Sequence, residues 1–249
     1  MKERPILFSA PMVRALLAGT KTQTRRICKL PHQNPLGKWE PTTFGGPNGG
    51  RTSKGETVPE HTAIWHTRTG DSIAAPYIVG EMLWVREAWG YFDPDGTGED
   101  YDRDHNEEGR AGPCSAYHAD MLQEGNSLRD YWRRRIAYKA SFAEQKYGMG
   151  PVGPSRWRPS IHMPRWASRI TLEIVSVRVE RLQDISEADA IAEGTERLPH
   201  AGWKDYGDST DWCTDPISSY RTLWESINGF QSSKDNPWVC VVEFKRITP

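Results

Sequence analysis

The run R-I-T-L-E-I-V-S-V-R-V-E-R-L at 169–182 constrains the fold more than any other part of the chain. Its apolar residues fall at 170, 172 and 174, then at 175, 177 and 179. Alternation with period two marks a strand with one buried face, and a change of face in mid-run needs one extra residue, a β-bulge near Ile174. W-V-C-V-V-E-F-K-R-I at 238–247 is as rich in β-branched and aromatic residues and reads as the closing strand. G-E-M-L-W-V-R-E-A-W from Gly80 reads as a turn and a buried strand, and I-A-Y-K-A at 136–140 as a short one.

The helices predicted between these strands are short. Ile6, Leu7 and Phe8 form a first strand. Ser9 then caps a helix that has Pro11 in its first turn, Met12, Ala15, Leu16 and Ala18 on its apolar face, and Gly19 at its end. Residues 20–27 alternate enough for a second strand. Ser186 and Asp189 make a weak capping box for a helix closed by Gly194. A last helix begins near Ser218 or Ser219, with Tyr220, Leu223, Trp224 and Ile227 on one face. Several strands, few helices and no βαβ rhythm predict a mainly β fold with short helices (α+β), a β-barrel with helical plugs.

The 249 residues suit one large domain or two small ones, and we expect a single domain over 1–249. Two stretches stand outside its pattern. Residues 30–76 are rich in glycine, with Gly37, Gly45, Gly46, Gly49, Gly50 and Gly55 and several prolines, and read as an insertion or long loop with only short strands. Residues 93–134 open with an acidic, turn-rich D-P-D-G-T-G-E-D-Y-D-R-D, and a helix is predicted at 115–135, ending in Arg133, Arg134 and Arg135. The acidic stretch lacks the glycine and closing glutamate of a calcium loop in register. The insertions are candidates for a lid over the barrel mouth, with Trp39 and Trp65 among its residues.

Charge is balanced, at 32 Lys and Arg against 33 Asp and Glu, so bulk charge gives no case for nucleic-acid binding. Cys28, Cys114, Cys213 and Cys240 are widely spaced and form no zinc pattern; they read as reduced thiols, with no metal expected. The N-terminal apolar run is too short for a signal peptide, and no stretch reaches the roughly 18 apolar residues of a membrane span. These features predict a cytoplasmic protein with no membrane partner.

Three local patterns carry chemistry. In G-T-K-T-Q-T-R-R at 19–26, Lys21, Gln23 and Arg25 share one strand face and Thr22, Thr24 and Arg26 the other, with twist near the turn able to bring Lys21 towards Thr24. In R-W-R-P-S-I-H-M-P-R-W-A-S-R at 156–169, arginines alternate with Trp157 and Trp166 around His162, and Pro159 and Pro164 keep the segment extended. Guanidinium groups engage phosphate and indole faces stack on bases, so this is a local nucleic-acid footprint, with a loop pinned by tryptophan as the structural alternative. In S-E-A-D-A-I-A-E-G, Asp189 and Glu193 lie four apart on one helix face, the spacing of paired acid–base carboxylates and of many ordinary exposed helices.

Together these pieces resemble the ASCH domain family, a β-barrel group related to the PUA fold, and most of all its long phage and prophage forms. The resemblance is carried by Gly19, Lys21, Thr24 and Arg25, the strand at 80–89, I-H-M-P-R-W-A-S-R, D-I-S-E-A-D-A-I-A-E-G, Y-R-T-L-W-E-S-I-N-G and N-P-W-V-C-V-V-E-F-K-R-I. It implies a cleft that handles RNA, DNA or a modified nucleoside, in the host cytoplasm if phage-encoded, with no cofactor. One branch of the family hydrolyses the amide of N(4)-acetylcytidine with a Lys, a Thr and a Glu. The matching positions are Lys21, Thr24 and Glu193, which the resemblance makes the expected catalytic residues. Arg25, Arg86, Glu87, His162, Arg165 and Trp166 are the expected substrate- or nucleic-acid-binding residues. Arg86 and Glu87 are neighbours on a strand, so at most one points inward. The alternatives are a non-catalytic RNA- or DNA-binding module and a metal-independent ribonuclease pairing Lys21 with His162.

Overall fold

The computed structural model describes residues 2–46, 51–91, 136–141, 157–199, 202–207 and 212–247. The acidic stretch and the helix expected within 93–135 lie outside the described residues, as do Cys114 and Arg156. The chain divides into two compact units. The first comprises Met1–Arg4, Ala15–Leu83 and Thr171–Pro249, and the second Pro5–Arg14 and Trp84–Ile170. The fold is mainly β with a few short helices.

The first unit is built around three antiparallel strands, two of them long. Strand β12 (Trp238–Ile247) runs between β2 (Gln23–Ile27) and β9 (Thr171–Arg181). The five-stranded sheet has the order β1-β6-β9-β12-β2, where β1 is Glu3–Leu7 and β6 is Met82–Arg86. No pairing among the described residues joins its end strands β1 and β2, and a closed barrel is not formed by these ladders. Val239, Cys240, Val241 and Val242 are all buried, which explains their continuous apolar run: a central strand has no wet face. The bulge is present. Glu243 lies opposite Ser176 and Phe244 opposite Ile174, so Val175 is the extra residue that turns the later side chains over.

Residues 30–76 are more ordered than their composition suggests. Strands β3 (Trp39–Phe44), β4 (His61–His66) and β5 (Ser72–Ala74) form an antiparallel sheet. Trp39 and Ile64 pack with Trp238, and Thr62 Oγ1 donates to the Val177 carbonyl at 3.0 Å. Glycine-rich turns and weak alternation hid this sheet, because its apolar partners come from β9 and β12, far away in sequence.

Helix α1 covers Ala10–Ala18 and ends at Gly19, whose φ of +76° suits glycine. Helix α2 (Glu187–Ala192) has the full capping box, with the Asp189 N–H donating to Ser186 Oγ at 3.1 Å and the Ser186 N–H returning to the Asp189 carboxylate. Gly194 follows it with a φ of +85°, and a Cβ there would stand 2.8 Å from Ala15 Cβ and 2.9 Å from Lys21 Cβ. Only glycine lets the end of α2 sit this close to Lys21. Helix α3 spans Pro216–Asn228 and starts two residues before the expected serine, because Asp215 accepts from the Ser218 N–H at 2.8 Å and Pro216 fills the first turn. Tyr220, Leu223 and Trp224 are buried as expected, but Ile227 is exposed. A two-residue ladder of β10 (Trp203–Lys204) with β11 (Trp212–Cys213) accompanies α3.

In the second unit β7 (Trp89–Tyr91) pairs with β8 (Ile136–Tyr138). Trp89, Met163 and Ala167 form its small core, with Ile136, Tyr138 and Trp166 against them. The proline-bounded segment is not extended throughout. It forms two 3-10 turns, Ser160–His162 and Arg165–Ala167, with Pro159 and Pro164 as their extended caps. Each proline breaks the chain between turns rather than straightening it.

No helix among the described residues is long and apolar enough to cross a membrane. Cys28, Cys213 and Cys240 are free thiols, and burial pushes Cys28 up to about 11 and Cys240 up to about 12.

Candidate functional site

Strand alternation builds the site. Lys21, Gln23 and Arg25 fall on one face, and the register carries that face across the sheet: Arg25 lies opposite Val241 and Val241 opposite Arg178, while Gln23 lies opposite Glu243. Two residues along β9, Glu180 joins the same face. Over it sits α2, which delivers Asp189 and Glu193. The end of α2 is tied to the start of β2 by backbone, with the Thr22 N–H donating to the Ala192 carbonyl at 2.8 Å.

Lys21 Nζ donates to Glu193 Oε2 at 2.8 Å and to the Glu193 carbonyl at 2.7 Å, so it pairs with the carboxylate and caps the helix end together. The two side chains are 0% and 2% exposed, which makes this an ion pair inside the protein. The other oxygen, Glu193 Oε1, accepts from Arg25 Nη1 at 3.1 Å. Arg25 also donates to Glu180 Oε1, from Nε at 3.2 Å and from Nη2 at 2.6 Å, and pairs with Asp189 Oδ2 at 3.4 Å. Arg178 links Glu180, Asp189 and Glu243 at the wetter edge. Gln23 Nε2 donates to the Asp189 carbonyl at 2.8 Å, and the Tyr220 ring centroid lies 5.8 Å from Arg25 Cζ.

These contacts set the charges. Burial lowers the pKa of Lys21; Glu193 pulls it back up, while Arg26 and Arg25 push it down, and the net is a lysine below its ordinary value. Burial also lowers Arg25, but Glu193, Tyr220 and Glu180 outweigh it and the guanidinium is held more firmly charged. Burial drives the Tyr220 hydroxyl well above its usual range, with Glu193 adding to the effect. Burial would raise Asp189, but hydrogen bonds from Ser186 and Gln23 and the charges of Arg25 and Arg178 bring it down to about 2.

Asp189 therefore gives the fold an acid limb. Its pKa is depressed below an unfolded value of about 3.9, so its contribution is complete above that pH and drains away as pH falls through about 2. Urea midpoints of the wild type and Asp189→Asn should differ at pH 6 and converge towards pH 2. Parallel curves across that window would remove Asp189 from acid stability.

The structure brings Lys21 and Glu193 together but does not join Thr24 to them. Thr24 is buried opposite Val242, which pairs with Val177, and this register sets it on the other face of β2. Among the described residues no hydrogen bond links it to Lys21 or Glu193. Arg25 has its three guanidinium nitrogens on protein carboxylates, so it braces the site instead of reaching outwards.

The remaining expected residues belong to the second unit. Of the neighbours Arg86 and Glu87, the glutamate is the buried one, 1% exposed, and Arg169 grips it with Nε at 2.8 Å and Nη2 at 3.0 Å. Arg169 in turn lies 3.9 Å from the Tyr138 ring centroid. Arg86 donates to the Ile161 carbonyl at 3.2 Å and lies 4.7 Å from the Trp84 ring centroid, with Arg165 at 6.0 Å from the same ring. His162 and Arg165 are exposed. Trp166 is half-buried edge-on to Trp89, centroids 6.3 Å apart, so packing takes part of its surface.

Arg178, Glu180 and Glu243 were not singled out from sequence, and Gln23 and Tyr220 only as members of a strand face and a helix face. For Arg178 and Glu180 the signal was there: two opposite charges two apart on a long strand must share a face. Which partners that face meets is a matter of sheet order. Comparison with family models, with curated proteins and with solved structures finds no match for this chain.

Proposed function

We propose that the chain is an ASCH-type, PUA-like protein that processes a nucleic acid or modified nucleoside, hydrolysing the linear amide of an N(4)-acetylcytidine-type substrate. The observation that supports this reading most is the Lys21 amine, buried on Glu193 with its proton affinity lowered by that burial. A lowered proton affinity brings the amine closer to the uncharged form that a general base uses. Lys21 takes a proton from water as the water oxygen adds to the acyl carbon. As the carbon–nitrogen bond breaks, the departing amino group takes that proton back, leaving cytidine and acetic acid, which loses its remaining acidic proton to water and becomes acetate. Water is the nucleophile because Thr24 lies on the other strand face. Glu193 holds the amine in place through Oε2. The Lys21 side chain is closed to solvent, so the acyl group has to part α2 from β2 to reach it.

Purified protein incubated with N(4)-acetylcytidine should release cytidine and acetate in equal amounts, followed by mass spectrometry. Silence towards this substrate and other N-acylated cytosine nucleosides would end the proposal.

A second reading, a non-catalytic RNA- or DNA-binding module, is favoured by the exposed Arg165 and His162 beside the half-buried Trp166. A fluorescent single-stranded oligonucleotide should then bind at low salt, weaken as salt rises, and weaken further in Arg165→Ala. A flat polarisation titration at low salt removes this reading. The ribonuclease reading has no such support: the Lys21 amine is taken up by Glu193, and no contact of His162 with an acid–base partner is described.

A further inference from the structure

We propose that Arg25 is a positioning residue for this hydrolysis: by gripping the Glu193 oxygen that Lys21 does not use, it shares the carboxylate between two cations and so lets the Lys21 amine give up its proton. This rests on the functional reading above and adds to it a residue that touches no substrate.

The argument starts from a conflict. A carboxylate 2.8 Å from a lysine stabilises the charged amine, which opposes a base role. The geometry answers it through the second oxygen. Glu193 bridges Lys21 on Oε2 and Arg25 on Oε1, at 2.8 and 3.1 Å. Arg25 cannot surrender its own proton, so it remains a fixed positive charge on the shared carboxylate. It cannot swing away either, because Glu180 and Asp189 hold its far edge and Arg178 holds them.

The charged and titratable groups around the pair come from every neighbouring element. β2 supplies Arg25 and Arg26, β9 Arg178 and Glu180, α2 Asp189, α3 Tyr220 and β12 Glu243. Glu243 is taken up by Arg178. Of the cations, Arg25 alone contacts Glu193 directly besides Lys21 among the contacts described. Removing its charge leaves Glu193 to Lys21 and deprives Glu180 and Asp189 of a neutralising partner. Every one of these changes makes the lysine hold its proton more tightly.

The test follows the Lys21 amine itself, so it needs no turnover. Protein carrying lysine labelled with carbon-13 at Cε is titrated by NMR, with the Lys21 signal assigned by its loss in Lys21→Arg. Wild-type Lys21 should titrate below the exposed lysines, whose ordinary value is about 10.4. Arg25→Gln should move its midpoint up by about one unit or more, and Arg25→Lys, which keeps the charge, should stay near the wild type. The pH dependence of acetylcytidine turnover should shift by the same amount. A folded Arg25→Gln with an unmoved midpoint overturns the proposal. So does a wild-type Lys21 that titrates with the exposed lysines, which needs no variant to fold. A midpoint that responds to Arg25 in protein that releases no acetate supports the positioning and sinks the hydrolase reading instead.

Discussion

Glu193→Ala is expected to be the most damaging single change in the first unit, costing about 3–5 kcal/mol of stability. Two cations lose a partner at once and a cavity opens. Lys21 loses its partner carboxylate, Arg25 loses one of its three carboxylates, and the change leaves a void under α2. A buried charge without its counter-ion bears the desolvation cost with no Coulombic return. For a chain of this size each kcal/mol moves the melting temperature by roughly 2–4 °C. Thermal and urea unfolding of Glu193→Ala against the wild type measures the loss. A difference below about 1 kcal/mol would mean that the buried pair is not a structural element of the fold.

Lys21→Met is expected to separate stability from chemistry. Here Glu193 keeps Arg25 on Oε1, so no buried charge is stranded, and methionine fills much the same volume as the lysine stem. The stability loss should therefore be clearly smaller than in Glu193→Ala. Turnover of N(4)-acetylcytidine should fall by about 10²–10⁴-fold, the usual worth of a general base. Lys21→Arg should not rescue it, since a guanidinium stays charged at any working pH. A methionine variant that keeps turnover within about tenfold would take the base role away from Lys21.

The pair of variants also tests a general asymmetry. A buried salt bridge is weak evidence for net stability when both partners are replaced, but removing one partner exposes the full cost of the other. In this protein the two variants differ, because Glu193 keeps a second cation, Arg25, when Lys21 is replaced. The order of the two losses is thus set by connectivity and not by residue type.

Much of the framework was legible because its causes are local. The face switch after Ile174 is a count along one strand, and the extra Val175 opposite β12 follows from it. Ser186, Asp189 and Gly194 mark α2 through backbone hydrogen bonds and a left-handed φ that need only a few neighbouring residues. The site was legible in part. Lys21, Gln23 and Arg25 had to share a face, Asp189 and Glu193 stood four apart on one helix face, and the catalytic role expected of Glu193 came from a family resemblance. The start of α3 was missed by two residues because Asp215 and Pro216 out-compete Ser218 as a helix entry. Short strands were expected within 30–76, but their pairing into the β3–β5 sheet was not, because its side chains bury themselves against Trp238 and Val179, which no window around residues 39–74 contains.

By itself, then, the sequence determined which stretches form the main strands and helices, which side chains share each face, and where a glycine ends a helix. Those are consequences of backbone sterics and of periods of two or 3.6 residues, acting over short spans. The tertiary structure alone decided that Lys21 meets a carboxylate 172 positions away, that this carboxylate is divided with Arg25, and that Thr24 looks to the other face. The reason is sheet order. Placing β12 between β2 and β9 brings distant charges onto one buried surface, and once water is excluded from that surface their mutual distances fix which of them carries its proton.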